Sequence, residues 1–142
     1  MKLEKILYST KVTSTGGREG ASVSEDKALS VKLSTPQALG GAGGPGTNPE
    51  QMFAGGYAAC FLSALNYVAQ QQKIKLSTDS SVTAEVAIGP NETGFGLQVT
   101  LFIQLNGLEK DIAKELVDKA HVVCPYSNAT QNNIDVQLVI ED

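Results

Sequence analysis

Two cysteines stand 64 residues apart, each in a stretch almost empty of charge: Cys60 in TNPEQMFAGGYAACF and Cys124 in HVVCPYSNAT. Two thiols in such settings suit redox chemistry. From Leu33 through Gln72 the only ionisable side chain besides Tyr57, Tyr67 and Cys60 itself is Glu50, and the chain's single arginine, Arg18, sits between glycines in TGGREG. A lone carboxylate, a lone arginine and two thiols invite the question of whether one site gathers them.

The reactive form of cysteine is the thiolate, which must be stabilised below the free-thiol pKa of about 8.5 to form at neutral pH. Cys124 is expected at a helix C-terminus, where the partial negative charge of the backbone disfavours an anion. Cys60 lies well inside a helix, so the dipole helps it little and burial raises its pKa. If Cys60 attacks, a cation must reach it, and Arg18 is the best candidate: a guanidinium stays protonated when partly buried and holds a carboxylate with two parallel hydrogen bonds. Glu50 is the natural clamp. The plainer readings are a turn-flanking Arg18 on the surface, a solvated Glu50 in a first helical turn, and two buried, inert thiols. His121, the sole histidine, stands three residues before Cys124 and raises a Cys–His pair as a lesser alternative. Two cysteines and one histidine without CxxC or HxxxH spacing do not make a zinc site. The glycine-rich LGGAGGPGTNPE lacks the GK[ST] ending of a phosphate loop and reads as a flexible crossover.

The elements that must position these residues follow from hydrophobic periodicity. Ile6, Tyr8, Thr10 and Val12 alternate, as do Ala21 and Val23, then Leu29, Val31 and Leu33, with Glu25-Asp26-Lys27 as a turn, which predicts a three-stranded N-terminal meander. Asn48-Pro49-Glu50 signals a helix start, because asparagine caps, proline fits the first helical position and glutamate suits the dipole. That helix is expected to run to about Gln72, with Phe53, Tyr57, Cys60, Ala64 and Val68 on one stripe. Val82 to Ile88 and Phe95 to Leu105 predict a hairpin around the turn GPNETG. A second helix from about Leu108 would turn Ile112, Leu116, Ala120 and Val123 inward and end at Cys124, since Pro125 disfavours helix at the residue before it. Ile134 to Ile140 predict a last strand. The order βββαββαβ indicates an α+β fold with an antiparallel or mixed sheet packed on helices.

With 142 residues the chain is read as one domain, 1–142. Its 42% hydrophobic and 18% charged content is that of a globular protein. A net charge of −4 with scattered lysines offers no patch for nucleic acid. The N-terminus lacks the layout of a signal peptide, so the expected location is cytoplasmic, where cysteines are free or pair transiently. Met52 to Ala69 carries no charge and has the length of a membrane span, but its glycines, alanines, Ser63 and Asn66 favour a helix buried at the centre of a protein or dimer.

The segments TGGREG, LSTPQALGGAGGPGTNPEQMFAGGYAACF and VVCPYSNATQNN together resemble the organic hydroperoxide resistance proteins (Ohr) of the OsmC/Ohr superfamily, in the expected order and over essentially the whole chain. Met52 and the Gly55-Gly56 pair vary a region where other members carry Leu and Ala. The resemblance implies an intertwined α+β homodimer with a buried central helix and two active sites at the subunit interface. It implies a thiol peroxidase for organic hydroperoxides, including fatty-acid ones. In it Cys60 is the peroxidatic and Cys124 the resolving cysteine, and Arg18 with Glu50 activates the thiolate and orients the peroxide. No metal or other bound cofactor is implied, and the reductant is a dihydrolipoyl group on a lipoylated protein. Phe53, Tyr57, Phe95 and Tyr126 are candidates for lining an apolar substrate pocket. The alternatives are an OsmC-like peroxidase of broader specificity and a non-catalytic dimeric redox sensor or hydrophobic-ligand binder.

Overall fold

A computed structural model describes every residue from Met1 to Asp142. The fold is mixed α+β, with two small sheets and three helices, and the chain divides into two compact units, Met1–Pro49 and Glu50–Asp142.

The first unit is a meander of β1 (Val12–Thr15), β2 (Ala21–Ser24) and β3 (Ser30–Lys32), antiparallel throughout. The expected alternation from Ile6 does not begin a strand: β1 starts at Val12, which pairs with Ser24, and residues 6–10 are exposed. A strand needs a partner as well as a pattern, and β2 is only four residues long. The loop between β1 and β2 is a single 3₁₀ turn, Gly17–Glu19, whose entry and exit depend on glycine. Gly16 has φ +72°, and a Cβ on Gly20 would lie 1.7 Å from the Thr15 carbonyl oxygen. The glycine-rich connector is more ordered than a flexible crossover. Thr47 N–H donates to the Lys32 carbonyl and Ser34 N–H to that of Thr47, both at 2.9 Å, so the connector returns parallel to the end of β3. Glu19 accepts the Thr35 N–H at 2.7 Å, which ties the Arg18 turn to the same segment, and the Thr35 hydroxyl and then this N–H hold the Glu19 carboxyl below its ordinary pKa.

The second unit begins in α1 (Pro49–Gln71), where the Asn-Pro-Glu signal places it. β4 (Ser81–Asn91) and β5 (Gly94–Gln104) form the expected hairpin, in register from Ser81 opposite Gln104 to Asn91 opposite Gly94. β6 (Val136–Glu141) lies parallel to β5, so this sheet is mixed, and the crossover that a parallel pair requires is made by α2 (Lys110–Val123) and α3 (Pro125–Thr130). The order is therefore βββαββααβ. The extra helix arises because Pro125 both ends α2 and occupies the first position of α3, the position its fixed φ favours.

One core gathers Tyr57, Phe61, Leu65, Val68 and Ala69 of α1, Val99, Leu101 and Ile103 of β5, and Ala113, Leu116, Val117 and Ala120 of α2. α1 is long and apolar enough to cross a bilayer by length and composition, and within this chain only one face of it, Tyr57, Phe61, Ala64, Leu65, Val68 and Ala69, is buried in the core. The inner face of α2 differs from the expected one: Ala113 and Val117 are buried, while Ile112 and Val123 are exposed. The larger side chain of the adjacent pair Ile112-Ala113 is the exposed one, so the buried stripe is out of phase with the apolar volume.

Candidate active site

Cys60 and Cys124 meet in the second unit, both as free thiols. Cys60 is half-buried in the middle of α1, and Cys124 is fully buried between α2 and α3. Cys124 has extended backbone angles (φ −64°, ψ 124°) and serves both helices: its N–H donates to the Ala120 carbonyl at 2.8 Å and its carbonyl accepts the Asn128 N–H at 2.9 Å. It therefore caps the end of one helix and the start of another, where only the former was expected. The Tyr126 N–H at the start of α3 and the Cys124 thiol both lie near enough to the Cys60 sulfur to act on its pKa.

Burial is the main influence on Cys60 and raises its pKa. The Tyr126 N–H acts the other way, and Cys124 adds to the increase both as a like charge and through the side-chain hydrogen bond. The net direction is up. Within its own unit Cys60 is thus a protonated thiol at neutral pH, so any activation must come from a group outside the arrangement just described.

Beside the sulfur lies an open, mostly apolar depression of about 470 Å³, lined by Cys60, Ser63, Ala64, Tyr67, Val123 and Pro125. Phe53, Tyr57 and Tyr126 form an aromatic cluster behind it, with ring centroids 5.7 to 6.2 Å apart. The Tyr126 ring lies over Gly56, where a Cβ would come within 2.8 Å of its hydroxyl. Tyr57 is wholly buried and faces the core rather than the depression. Phe95 stands elsewhere, opposite Pro90 near the hairpin tip and three-quarters exposed.

A chain of polar groups runs beneath the cluster. Ser127 Oγ is 2.8 Å from Tyr57 Oη and 2.8 Å from His121 Nδ1, and Tyr57 Oη is 3.3 Å from Thr130 Oγ1. Thr130 Oγ1 in turn donates to the Ser127 carbonyl at 3.2 Å. His121 thus bonds a serine and lies against the Phe61 ring. Arg18 belongs to the first unit, half-buried in its 3₁₀ turn, and Glu50 opens the second, half-buried in the first turn of α1.

A family model described as "OsmC-like protein" matches residues 40–139, a span that includes Glu50, Cys60 and Cys124. An organic hydroperoxide resistance protein of Xanthomonas axonopodis pv. citri is 58% identical over 137 residues, covering 96% of each chain. The chain belongs to the OsmC/Ohr family. Among Ohr relatives, OhrB of Bacillus subtilis is 44% identical over 95% of this chain and 98% of its own, and its crystal structure superposes with a TM-score of 0.88. The crystal structure of an organic hydroperoxide resistance protein from Legionella pneumophila, 49% identical, covers 97% of this chain and all of its own with a TM-score of 0.92.

For this OsmC/Ohr chain, sequence reasoning overlooked Ser63, Tyr67, Val123 and Pro125 as lining residues. The first two were detectable: positions three and seven after Cys60 share its helical face. Ser127 and Thr130 were not, because buried polar groups in an unrecognised helix leave no periodic signal.

Proposed function

We propose that this protein is a thiol peroxidase that reduces organic hydroperoxides, fatty-acid hydroperoxides among them, to alcohols. The observation that carries the reading is the pair of neighbouring free thiols beside an apolar depression, in a chain 58% identical to an organic hydroperoxide resistance protein. In the reaction the Cys60 thiolate attacks the hydroxyl-bearing oxygen of ROOH. The O–O bond breaks, RO⁻ takes a proton and leaves as alcohol, and the sulfur, oxidised by two electrons, holds the transferred OH as a sulfenic acid. Cys124 then attacks that sulfur, water departs, and a Cys60–Cys124 disulfide forms. A dihydrolipoyl dithiol, carried by a lipoylated protein, returns both thiols and is itself oxidised to the cyclic disulfide.

In this reading Arg18 and Glu50 are the pair that activates the Cys60 thiolate and orients the peroxide, the guanidinium lowering the Cys60 pKa and polarising the O–O bond. The depression, with Phe53 and Tyr126 behind it, takes the alkyl tail, which hydrogen peroxide does not have. The working form is a cytoplasmic homodimer with no bound cofactor. Turnover of cumene hydroperoxide with dihydrolipoamide, at a catalytic efficiency well above that for hydrogen peroxide, tests this directly. Cys60→Ser is expected to abolish that turnover, and activity surviving the substitution would sink the reading.

A further inference from the structure

Tyr57 and Cys60 are one turn apart on α1, and Cys124 and Ser127 are likewise three residues apart across the start of α3. The two pairs lie side by side: Tyr57 Oη is 2.8 Å from Ser127 Oγ, and the Cys124 thiol is a near neighbour of the Cys60 sulfur. α3 has only six residues, too few to hold a helix by its own hydrogen bonds, and its two buried side chains are both hydroxyls, Ser127 and Thr130. Buried hydroxyls need partners, and these find theirs on α1 and at His121 in the last turn of α2.

The proton count gives the chain a direction. Thr130 spends its only hydroxyl proton on the Ser127 carbonyl, so its oxygen accepts from Tyr57. With all four contacts kept as hydrogen bonds, Tyr57 accepts from Ser127, and Ser127 accepts from Nδ1–H of His121.

We propose that Tyr57, Ser127 and His121 are positioning residues whose hydroxyl–imidazole tie fixes the register in which the Cys60 and Cys124 sulfurs meet, with His121 held as the Nδ1–H form. The inference deepens the peroxidase reading of this site, but its central claim is about thiol pairing and can be tested without peroxide. The full-length protein is equilibrated with reduced and oxidised dithiothreitol. In this exchange the two thiols give up two electrons and two protons, and oxidised dithiothreitol becomes the dithiol. Ser127→Ala and Tyr57→Phe are expected to lower the equilibrium constant for the Cys60–Cys124 disulfide about tenfold, a shift of about 30 mV. Ser127→Thr, which keeps the hydroxyl, restores it. Leu116→Ala removes core volume outside the tie, and it should lower the melting temperature yet leave the constant near that of the parent.

Ser127→Ala alters a single atom, so it keeps the test open should Tyr57→Phe fail to fold. Nitrogen chemical shifts of the His121 ring are expected to report a proton on Nδ1. Constants for Ser127→Ala equal to the parent's, or a fall of the same size in Leu116→Ala, overturn the proposal. A parent that forms the disulfide in dithiothreitol but not with cumene hydroperoxide refutes the peroxidase reading and leaves the register inference standing.

Discussion

At the scale of single residues, the second unit raises the pKa of the sulfur that the proposed chemistry needs as an anion. Burial and the neighbouring thiol outweigh one backbone N–H. An acid whose pKa is raised holds its proton to higher pH, so without a cation Cys60 should react slowly at neutrality and faster as the pH climbs. Arg18→Ala is accordingly expected to move the alkylation profile of Cys60 to higher pH and to cut hydroperoxide reduction by roughly 10²-fold, in line with losing one charged donor at a developing oxyanion. Arg18→Lys keeps the charge but loses the fork, so the profile should move less than in Arg18→Ala while peroxide reduction still falls. Profiles and rates for both variants identical to the parent's would remove Arg18 from the mechanism. The two sulfurs were legible in the sequence because the chain has only two cysteines and each stands in a stretch almost empty of charge. The hydroxyls of Ser127 and Thr130 were not, since serine and threonine are ordinary anywhere and acquire meaning only when a fold buries them.

At the scale of elements, the helices and the long hairpin were readable because each carries many repeats of its period: β5 alternates from Phe95 to Leu105, and α1 keeps apolar neighbours over six turns. Short elements depend on partners that sequence does not display. Residues 6–10 alternate as well as any strand and form none, and α3 is a helix because Pro125 was free to begin what it had just prevented from continuing. The loop presenting Arg18 shows the same dependence, since its shape rests on Gly20, where there is no room for a side chain. Gly20→Ala is expected to cost roughly 2 kcal/mol or more of stability. It should also lower hydroperoxide turnover by disturbing the arginine's platform, as checked by thermal melts and steady-state assay. A variant as stable and active as the parent would show that the turn relaxes around a methyl group.

At the scale of the whole molecule, large apolar side chains remain in water in each unit: Leu3, Ile6, Leu7 and Tyr8 in the first, Tyr67, Phe95 and Val122 in the second. Single exposed hydrophobics are commonplace, but a run at one terminus together with a tyrosine bordering the candidate site is what a partner chain would cover. The proposed homodimer predicts a mass of twice 14.9 kDa by light scattering at micromolar concentration. Tyr67→Lys and Leu7→Lys should each shift the population toward monomer, whereas a parent that runs as a monomer at every concentration would refute the pairing. Composition could not announce this surface. Hydropathy counts apolar residues without saying which of them a single chain leaves uncovered.

Cys124 belongs to two helices at once, with its amide committed backward to Ala120 and its carbonyl forward to Asn128. Because both of its backbone groups are hydrogen-bonded, oxidation of the pair is expected to proceed by rotation about side-chain bonds and not by the unwinding of a loop. Reduced and oxidised forms are then expected to show the same amide exchange from Ala120 to Cys124 and from Tyr126 to Asn128, a thiol switch whose main-chain scaffold does not register the state of its own sulfurs.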